Sequence, residues 1–326
     1  MMEGGNSPQA CPVCRGNEFR LLGKPRWGYG ADWSRFTYHQ CRECGVLALF
    51  PILSAAECEN VYRVSRPDRQ GVEQHKQRIA KELSQTERRS PFSWLPIMRF
   101  EFDDYLFCRH AGRVLDVGCG EGSLLMRFAR RGWQIYGVDY YPEAIAALNA
   151  TLSGRFQERD ATSFHFNERF DLIVMNQTLE HVPNPVEVLR YLRGYLDESG
   201  ELVIATPNAD SLARQLFRTR WFYYGAPEHV LLYGRRSIER VLREAGYRIR
   251  RFRTFGAPSE YVASLKGWTE EGAYPKISVL GKVCWAPLAL LANVLAMGSE
   301  IMVVAGIDEP DHGGGGRQRL TALRHD

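Results

Sequence analysis

The sequence predicts an α/β protein with a doubly wound parallel sheet, preceded by a small cysteine-rich module. Three observations lead to this prediction. From Arg113 onward, short apolar runs alternate with helix-like stretches. The first of these runs leads directly into the glycine-rich turn GCGEGS, residues 118–123. Two CxxC pairs come before all of them in the chain.

The composition is that of an ordinary globular protein. Of 326 residues, 44% are hydrophobic and 25% are charged, which is enough for one large or two modest domains. The net charge of +4 is mild, so bulk charge gives no reason to expect nucleic acid as a partner. No charged N-terminal region leads into an apolar core, so we expect no secretory signal and a cytoplasmic protein. In a reducing compartment, eight cysteines favour metal binding over disulfides.

The N-terminal module contains the motifs CPVC and CREC, with 26 residues between them. Two CxxC pairs supply the four thiolates of a tetrahedral structural zinc site. The spacer is longer than the usual spacing of roughly 15–20 residues, and it contains the strand-like text WSRFTYHQC. We therefore predict a zinc ribbon over residues 1–50, with scattered buried thiols or a redox pair as the alternatives. The predicted Zn²⁺ ligands are Cys11, Cys14, Cys41 and Cys44.

Five strands are predicted in the α/β region: RVLDV, WQIYGVD, FQERD, FDLIVMN and ELVIATPN. FDLIVMN is apolar enough to be buried on both faces, as in a parallel sheet. The stretch NPVEVLRYLRGYLDESG predicts a helix capped by Asn184, with Val186, Leu189, Leu192 and Leu196 on one face.

The glycine turn predicts a ligand site, because ligands of such sheets bind beyond the carboxyl ends of the strands. Gly118, Gly120 and Gly122 let the backbone bend sharply and approach a ligand. Their spacing is one residue shorter than the dinucleotide fingerprint. Asp116 suits a cationic ligand better than a pyrophosphate, and Asp139, 19 residues after Gly120, can accept both ribose hydroxyls. We infer S-adenosylmethionine, which carries an amino group and a sulfonium.

The ordered motifs VLDVGCGEGSLL, YGVDYYPEAI, ERDATSF, FDLIVMNQTLEHVPNP and GELVIATPN resemble class I S-adenosylmethionine-dependent methyltransferases over about residues 90–306. The resemblance implies a seven-stranded, Rossmann-like sheet, with YRIRRFRTF as its sixth strand and EIMVVAG as an antiparallel seventh. It places Asp139 on the ribose and Asp160 and Ala161 near the adenine. The implied cofactor-binding residues are Asp116, Gly118, Cys119, Gly120, Asp139, Tyr140, Asp160, Ala161 and Asn176.

The predicted domains follow from these features. A helical linker or lid at 51–110 includes the capping-box pattern SAAE and a polar stretch at 68–90, to which we assign no chemistry. The methyltransferase domain covers 111–307, with an acceptor-side insertion at about 208–236. The glycine-rich tail at 308–326 is expected to be disordered.

Glu180, His181 and His229 are the catalytic candidates. LEHVPNP follows the fourth strand, which places Glu180 and His181 near the methyl-bearing mouth of the sheet. His181 can take a proton near neutral pH, or it packs beside the site without reacting. His229 is the second candidate base, in the aromatic stretch WFYYGAPEHVLLYG, which forms either an acceptor wall or a packed cluster.

LEHVPNP also resembles ubiquinone-pathway O-methyltransferases, in which an E-x-x-E-H pattern is implicated in metal binding. Gln177 replaces the first acid here, so the pattern is incomplete and we do not assign a catalytic metal. A similar pairing of a cysteine-rich module with this fold occurs in sugar C-methyltransferases of deoxysugar pathways.

We expect a small-molecule acceptor: a sugar, a nucleotide-sugar or a lipid-linked metabolite. The segment Arg214–Arg253 contains eleven arginines, no lysine and three acids, which indicates a phosphate-bearing acceptor or a solvated helix face. The apolar stretch Val283–Met297 is too short to span a bilayer and predicts a buried or interfacial helix, with peripheral membrane contact in the second case.

Two alternatives stay open. In one, the chain methylates RNA or protein and docks through the zinc ribbon, although residues 1–50 are not markedly basic and NQTL stands where an NPPY-type tetrapeptide would be expected. In the other, the chain is a non-catalytic, cofactor-binding scaffold. The intact glycine turn with Asp116 and Asp139 argues against the scaffold. The oligomeric state is not predicted.

Overall fold

The computed structural model describes residues 10–26, 28, 33–64, 71–84, 109–267 and 275–308. The predicted tail lies outside the described residues from residue 309 onward, and so does 85–108 of the predicted lid.

A small antiparallel sheet contains the cysteine motifs and one strand from far downstream. Its strands, in spatial order, are β1 (Phe19–Gly23), β2 (Thr37–Cys41), β3 (Leu47–Phe50) and β9 (Leu231–Leu232). Leu47 pairs with Leu232 and Ala48 with Leu231. The segment predicted as an acceptor-side insertion therefore completes the N-terminal sheet.

Seven strands form the main sheet. They are β4 (Arg113–Val117), β5 (Gln134–Asp139), β6 (Gly154–Glu158), β7 (Phe170–Asn176), β8 (Leu196–Pro207), β10 (Tyr247–Phe255) and β11 (Glu300–Ile307). Their spatial order is β10-β11-β8-β7-β4-β5-β6. Strands β4 to β8 pair in parallel, and β11 runs antiparallel between β8 and β10. The predicted α/β fold with a doubly wound, seven-stranded sheet is confirmed.

Nine α-helices are described. They are α1 (Ala55–Val64), α2 (Val72–Ser84), α3 (Ser123–Ala129), α4 (Pro142–Thr151), α5 (Pro185–Arg193), α6 (Leu212–Phe217), α7 (Arg235–Glu244), α8 (Pro258–Lys266) and α9 (Val279–Val294). Short 3-10 turns include Leu179–His181 and Phe222–Tyr224.

Successive side chains of a strand point to opposite faces of its sheet. In the main sheet, both sets of side chains are buried. In β7, Leu172 and Val174 join one apolar cluster, while Ile173 and Met175 join the other. The first cluster includes helices α3 and α4, and the second reaches the small sheet. The apolar run FDLIVMN thus reflects two cores that share one strand.

One local prediction is wrong and another is confirmed. Leu196 is not on a helix face: α5 ends at Arg193, and Leu196 begins β8 because it pairs with Phe170 of the buried strand β7. Ser237 lies inside the first turn of α7, where its Oγ accepts the Gly234 N–H at 2.9 Å. The capping box SAAE does begin α1, since the Glu57 carboxylate accepts the Ser54 N–H at 2.8 Å.

The apolar stretch predicted as a buried or interfacial helix forms most of α9. Across the part of the chain that the structure describes, no helix combines the length and apolarity needed to cross a bilayer.

Candidate active site

A cavity of about 500 Å³ lies at the carboxyl ends of β4, β5 and β7. That volume is within the range of about 300–1,000 Å³ typical of small-molecule sites. Seven of the nine predicted cofactor-binding residues line it. They are Gly118, Gly120, Asp139, Tyr140, Asp160, Ala161 and Asn176.

The glycine turn needs glycine for two different reasons. Gly118, Gly120 and Gly122 all have positive φ, at 79°, 50° and 78°, where residues with a Cβ are strained. A Cβ on Gly122 would lie 2.4 Å from Cδ2 of the buried Leu148. A Cβ on Gly120 would meet no atom within 4 Å, so the backbone there is open toward the cavity.

Asp139 ties the glycine turn to the end of β5. Its Oδ2 accepts the Gly120 N–H at 2.8 Å, and its Oδ1 accepts the Tyr141 N–H at 3.0 Å. The side chain is buried and lines the cavity. The carboxylate is therefore held in one orientation by two backbone donors from neighbouring loops.

Asp116 and Cys119 lie beside this cavity and not in its lining. Both are buried, and both line a smaller hollow of about 310 Å³ together with Gly118 and Asn176. Asp116 Oδ1 has no hydrogen-bond partner among the described residues. Burial, and secondarily the Asp139 carboxylate, raise the pKa of Asp116 to about 7. A buried, unsatisfied carboxylate of this kind favours a cationic ligand.

The far end of the cavity is shaped by the loop after β6. Asp160 accepts hydrogen bonds from the Tyr140 hydroxyl and from the Thr162 N–H, the latter at 2.7 Å. Ala161 and Thr162 line the cavity beside it. Ala55 and Cys58 of α1 also line the cavity.

Helix α2 contributes contacts that the sequence analysis missed. His75 is 1% exposed, and its Nε2 lies 2.9 Å from the Tyr141 hydroxyl. Arg78 pairs with Glu121 of the glycine turn and lines the smaller hollow with Asp116. The helical spacing of Val72, His75 and Ile79 was the available signal for a buried face.

His181 is the catalytic candidate that lines the cavity. Its Nδ1 lies 3.0 Å from the backbone carbonyl of Glu228, which can only accept, so the neutral ring carries its proton on Nδ1. Nε2 is then the basic nitrogen. The ring of His229 meets that of His181 edge-on, with 4.8 Å between the ring centroids.

Glu180 and His229 do not line the cavity; they lie behind His181. Glu180 is fully buried, its Oε2 accepts the Thr206 hydroxyl at 2.8 Å, and burial raises its pKa to about 8. His229 Nδ1 lies 2.7 Å from the Tyr223 carbonyl, and burial, with a smaller effect of His181, lowers its pKa to about 4. One ligand atom from each of Glu180, His181 and His229 lies within 4.8 Å of the others, a spacing that also suits a metal ion.

Gln177 lines the cavity in a left-handed conformation with φ of 53°. It occupies the position of the first acid in the E-x-x-E-H pattern. Its Nε2 donates to Glu300 Oε2 at 3.1 Å, and the Tyr223 hydroxyl donates to the other oxygen of Glu300. Burial raises the pKa of Glu300. Gln177 therefore connects the cavity wall to a buried carboxyl group.

The four predicted zinc ligands converge. The Sγ atoms of all four cysteines lie within 4.8 Å of one another, with 3.6 Å between Cys11 and Cys44 and between Cys14 and Cys41. A disulfide would need about 2.05 Å. Four sulfurs placed about 2.3 Å from a central zinc ion are about 3.8 Å apart, so the cluster fits a tetrahedral ion.

The arginine-rich segment contributes Glu228 to the cavity lining but no arginine. None of its eleven arginines is among the lining residues, where the arginine present is Arg159. Arg235 instead pairs with Glu239 and lies over the Phe252 ring, and Arg240 pairs with Glu244. A phosphate-bearing acceptor stays a prediction, without support from the cavity lining.

Comparison with known proteins gives matches to methyltransferases. The family described as "Methyltransferase domain" matches residues 77–251, just over half of the chain. The ubiquinone biosynthesis O-methyltransferase of Xanthomonas euvesicatoria is 33% identical over 125 residues, which cover 36% of this chain and 52% of that protein. The corresponding Aeromonas salmonicida protein is 33% identical over 108 residues, which cover 31% of this chain and 45% of that protein. The chain spans about half the length of the curated relatives it matches.

Solved structures also match, at low identity. A SAM-dependent methyltransferase from Archaeoglobus fulgidus has a TM-score of 0.43 and 19% identity, covering 75% of this chain and 98% of that one. An S-adenosylmethionine-dependent methyltransferase from Clostridium acetobutylicum has a TM-score of 0.42 and 12% identity, covering 68% of this chain and 93% of that one.

The match over residues 77–251 includes strands β4 to β8, the glycine turn that lines the cavity, and both His181 and His229. The chain therefore belongs to the methyltransferase domain family.

Proposed function

We propose that this chain transfers the methyl group of S-adenosylmethionine to a nucleophilic atom, foremost a hydroxyl oxygen, of a small-molecule acceptor. The observation that carries the proposal is a single cavity lined by the glycine turn, by Asp139 and by His181. The curated relatives named as O-methyltransferases support an acceptor of this kind.

The residues present fit S-adenosylmethionine. Asp116 offers an unsatisfied carboxylate oxygen for a cationic group, Gly120 leaves room for close approach, and Asp139 is oriented to meet ribose hydroxyls. The loop with Asp160 and Ala161 borders the opposite end, which suits the adenine. When bound, S-adenosylmethionine supplies an electrophilic methyl group on a sulfonium.

His181 is the residue we assign as general base. Because its Nδ1–H is held by the Glu228 carbonyl, its Nε2 is the nitrogen that takes the proton of an acceptor hydroxyl. His229 and Glu180 are positioning residues, since they lie behind His181 outside the cavity lining.

The first test combines labelled cofactor with a variant. Purified protein is incubated with methyl-labelled S-adenosylmethionine and a cell extract, and the label is partitioned among aqueous small molecules, lipids, RNA and protein. We expect label in small molecules or lipids. His181→Ala should lower the rate about 10²–10⁴-fold, the usual contribution of a general base, and leave cofactor affinity unchanged.

The matched control is His165→Ala, an exposed histidine outside the cavity lining, which should behave as wild type. Label only in RNA or protein would overturn the small-molecule acceptor. An unchanged rate in His181→Ala would remove His181 as the base, and a strict need for an added divalent ion would favour a metal held by Glu180, His181 and His229.

Cofactor affinity should depend on the protonation of Asp116. The carboxylate must be ionised to bind a cation, and its pKa in the free protein is about 7, so protons compete with the ligand below that pH. We expect the S-adenosylmethionine Kd to rise about eightfold between pH 7.5 and pH 6, as follows for one group of that pKa. Asp116→Asn should bind weakly and independently of pH, as measured by isothermal titration calorimetry. A wild-type Kd that stays flat over this range would contradict the role of Asp116.

We further propose that the four-cysteine cluster holds a structural Zn²⁺. All four positions of a tetrahedral ion are filled by protein sulfurs, so the ion would support the small sheet and take no part in the reaction. Cys41 ends β2 and Cys44 lies between β2 and β3. Strand β3 pairs with β2 and with β9 of the acceptor-side segment.

Metal analysis tests this proposal. The purified chain should contain about one zinc per molecule, as a single four-sulfur site requires. Cys44→Ser should lose the zinc and unfold at lower denaturant concentration, because a buried ligand is removed. Cys284→Ser, at an exposed cysteine on α9, is the control and should keep both the zinc and the denaturant concentration at which the wild type unfolds. A wild-type protein purified without zinc that folds and remains stable in a chelator would refute the site.

A further inference from the structure

Helix α9 exposes a continuous apolar stripe. Its outward positions recur at helical spacing, so that they form one face of the helix. The apolar side chains on this stripe and just after it are Val279, Leu280, Val283, Leu290, Leu291, Val294 and Leu295, each between 38% and 77% exposed. Contiguous exposed apolar surface of this extent marks an interaction site on a protein of this size.

The opposite face of α9 is already buried against the protein. Trp285 stacks on Tyr261 with 5.5 Å between the ring centroids, and it lies 5.7 Å from Phe217. Ala289 and Ala292 are 3% and 1% exposed on the same side. Helix α9 is therefore apolar on both faces, and the described part of the protein covers only one of them.

The length of α9 limits what can cover the other face. Its 16 residues extend about 24 Å, less than the hydrocarbon thickness of about 30 Å that a spanning helix must match. A helix that is anchored to the protein on one side and apolar on the other can instead lie in the plane of a membrane interface.

In the described residues 258–267 and 275–297, the exposed charged side chains are lysines. They are Lys266, Lys276 and Lys282. Among the described residues from Pro258 to Met297, the acidic side chain is Glu260, which is buried at 8% exposure. Exposed lysines at the N-terminal end of an apolar stripe match an anionic lipid surface. A second copy of the chain would bring the same cations opposite one another.

We propose that the outer face of α9 docks the protein on a lipid bilayer that contains anionic headgroups. The aliphatic side chains enter the boundary between headgroups and acyl chains, and the lysines contact the headgroups. The docking surface is separate from the cavity, since none of the stripe residues lines it. Binding to lipid therefore does not rest on the proposed methyl transfer.

The test measures sedimentation of the full chain with vesicles, without cofactor. Vesicles of phosphatidylcholine alone are compared with vesicles containing about 30% phosphatidylglycerol. We expect binding to the anionic vesicles, weakened by salt because the lysine contribution is screened. Val283→Gln combined with Val294→Gln keeps the charge and should reduce the partition coefficient about tenfold or more, because buried aliphatic groups are lost.

Leu21→Gln is the matched control, at a 60% exposed leucine on β1, and should bind as wild type. Circular dichroism must show the same helix content in all variants. Absence of vesicle binding by the wild type overturns the proposal, and so does equal binding by the double variant. A wild-type dimer that the double variant converts to a monomer, with no vesicle binding, would assign the stripe to a second copy of the chain instead.

Discussion

The hydroxyl of Tyr38 makes the contact on which the proposed acceptor side of the cavity depends. Tyr38 is buried in the small sheet and donates to the backbone carbonyls of Tyr224 and His229, the second at 2.6 Å. Val230, the residue after His229, bonds in two directions. Its carbonyl accepts the N–H of Leu49 in β3, and its N–H donates to the Glu180 carbonyl at 2.8 Å. The N-terminal sheet and the 3-10 turn Leu179–His181 are thus joined through one short stretch of backbone.

The two sides of the cavity consequently have different origins. The cofactor side follows from the parallel sheet itself, because the glycine turn and Asp139 stand at the ends of neighbouring strands. The proposed acceptor side includes Glu228, which lines the cavity within residues 222–233. This segment gains a strand partner only when the small sheet is formed. A metal in the cysteine cluster would therefore influence catalysis through the position of His229 behind His181, at a distance from the reacting atoms.

Much of the main sheet could be predicted from the sequence, because its strands and helices are signalled locally. The burial of FDLIVMN and the glycine turn before Asp139 follow from residue type and spacing. The pairing of Leu231 with Ala48 could not be predicted, since it joins segments far apart in the chain with no local pattern to indicate it. The burial of Glu180 was missed for the same reason, and that of His75 because its helix reads as polar.

Hydrogen–deuterium exchange in Tyr38→Phe tests most directly whether the small sheet holds the acceptor side. Tyr247→Phe is the control, since it removes another buried hydroxyl, which donates to the Leu189 carbonyl at 3.1 Å in the main domain. Each change should cost about 1–3 kcal/mol, because a buried carbonyl loses its donor. We predict faster exchange of the amides at 224–233 in Tyr38→Phe alone. Exchange there that matches wild type would contradict the account and leave the two sheets as independent units.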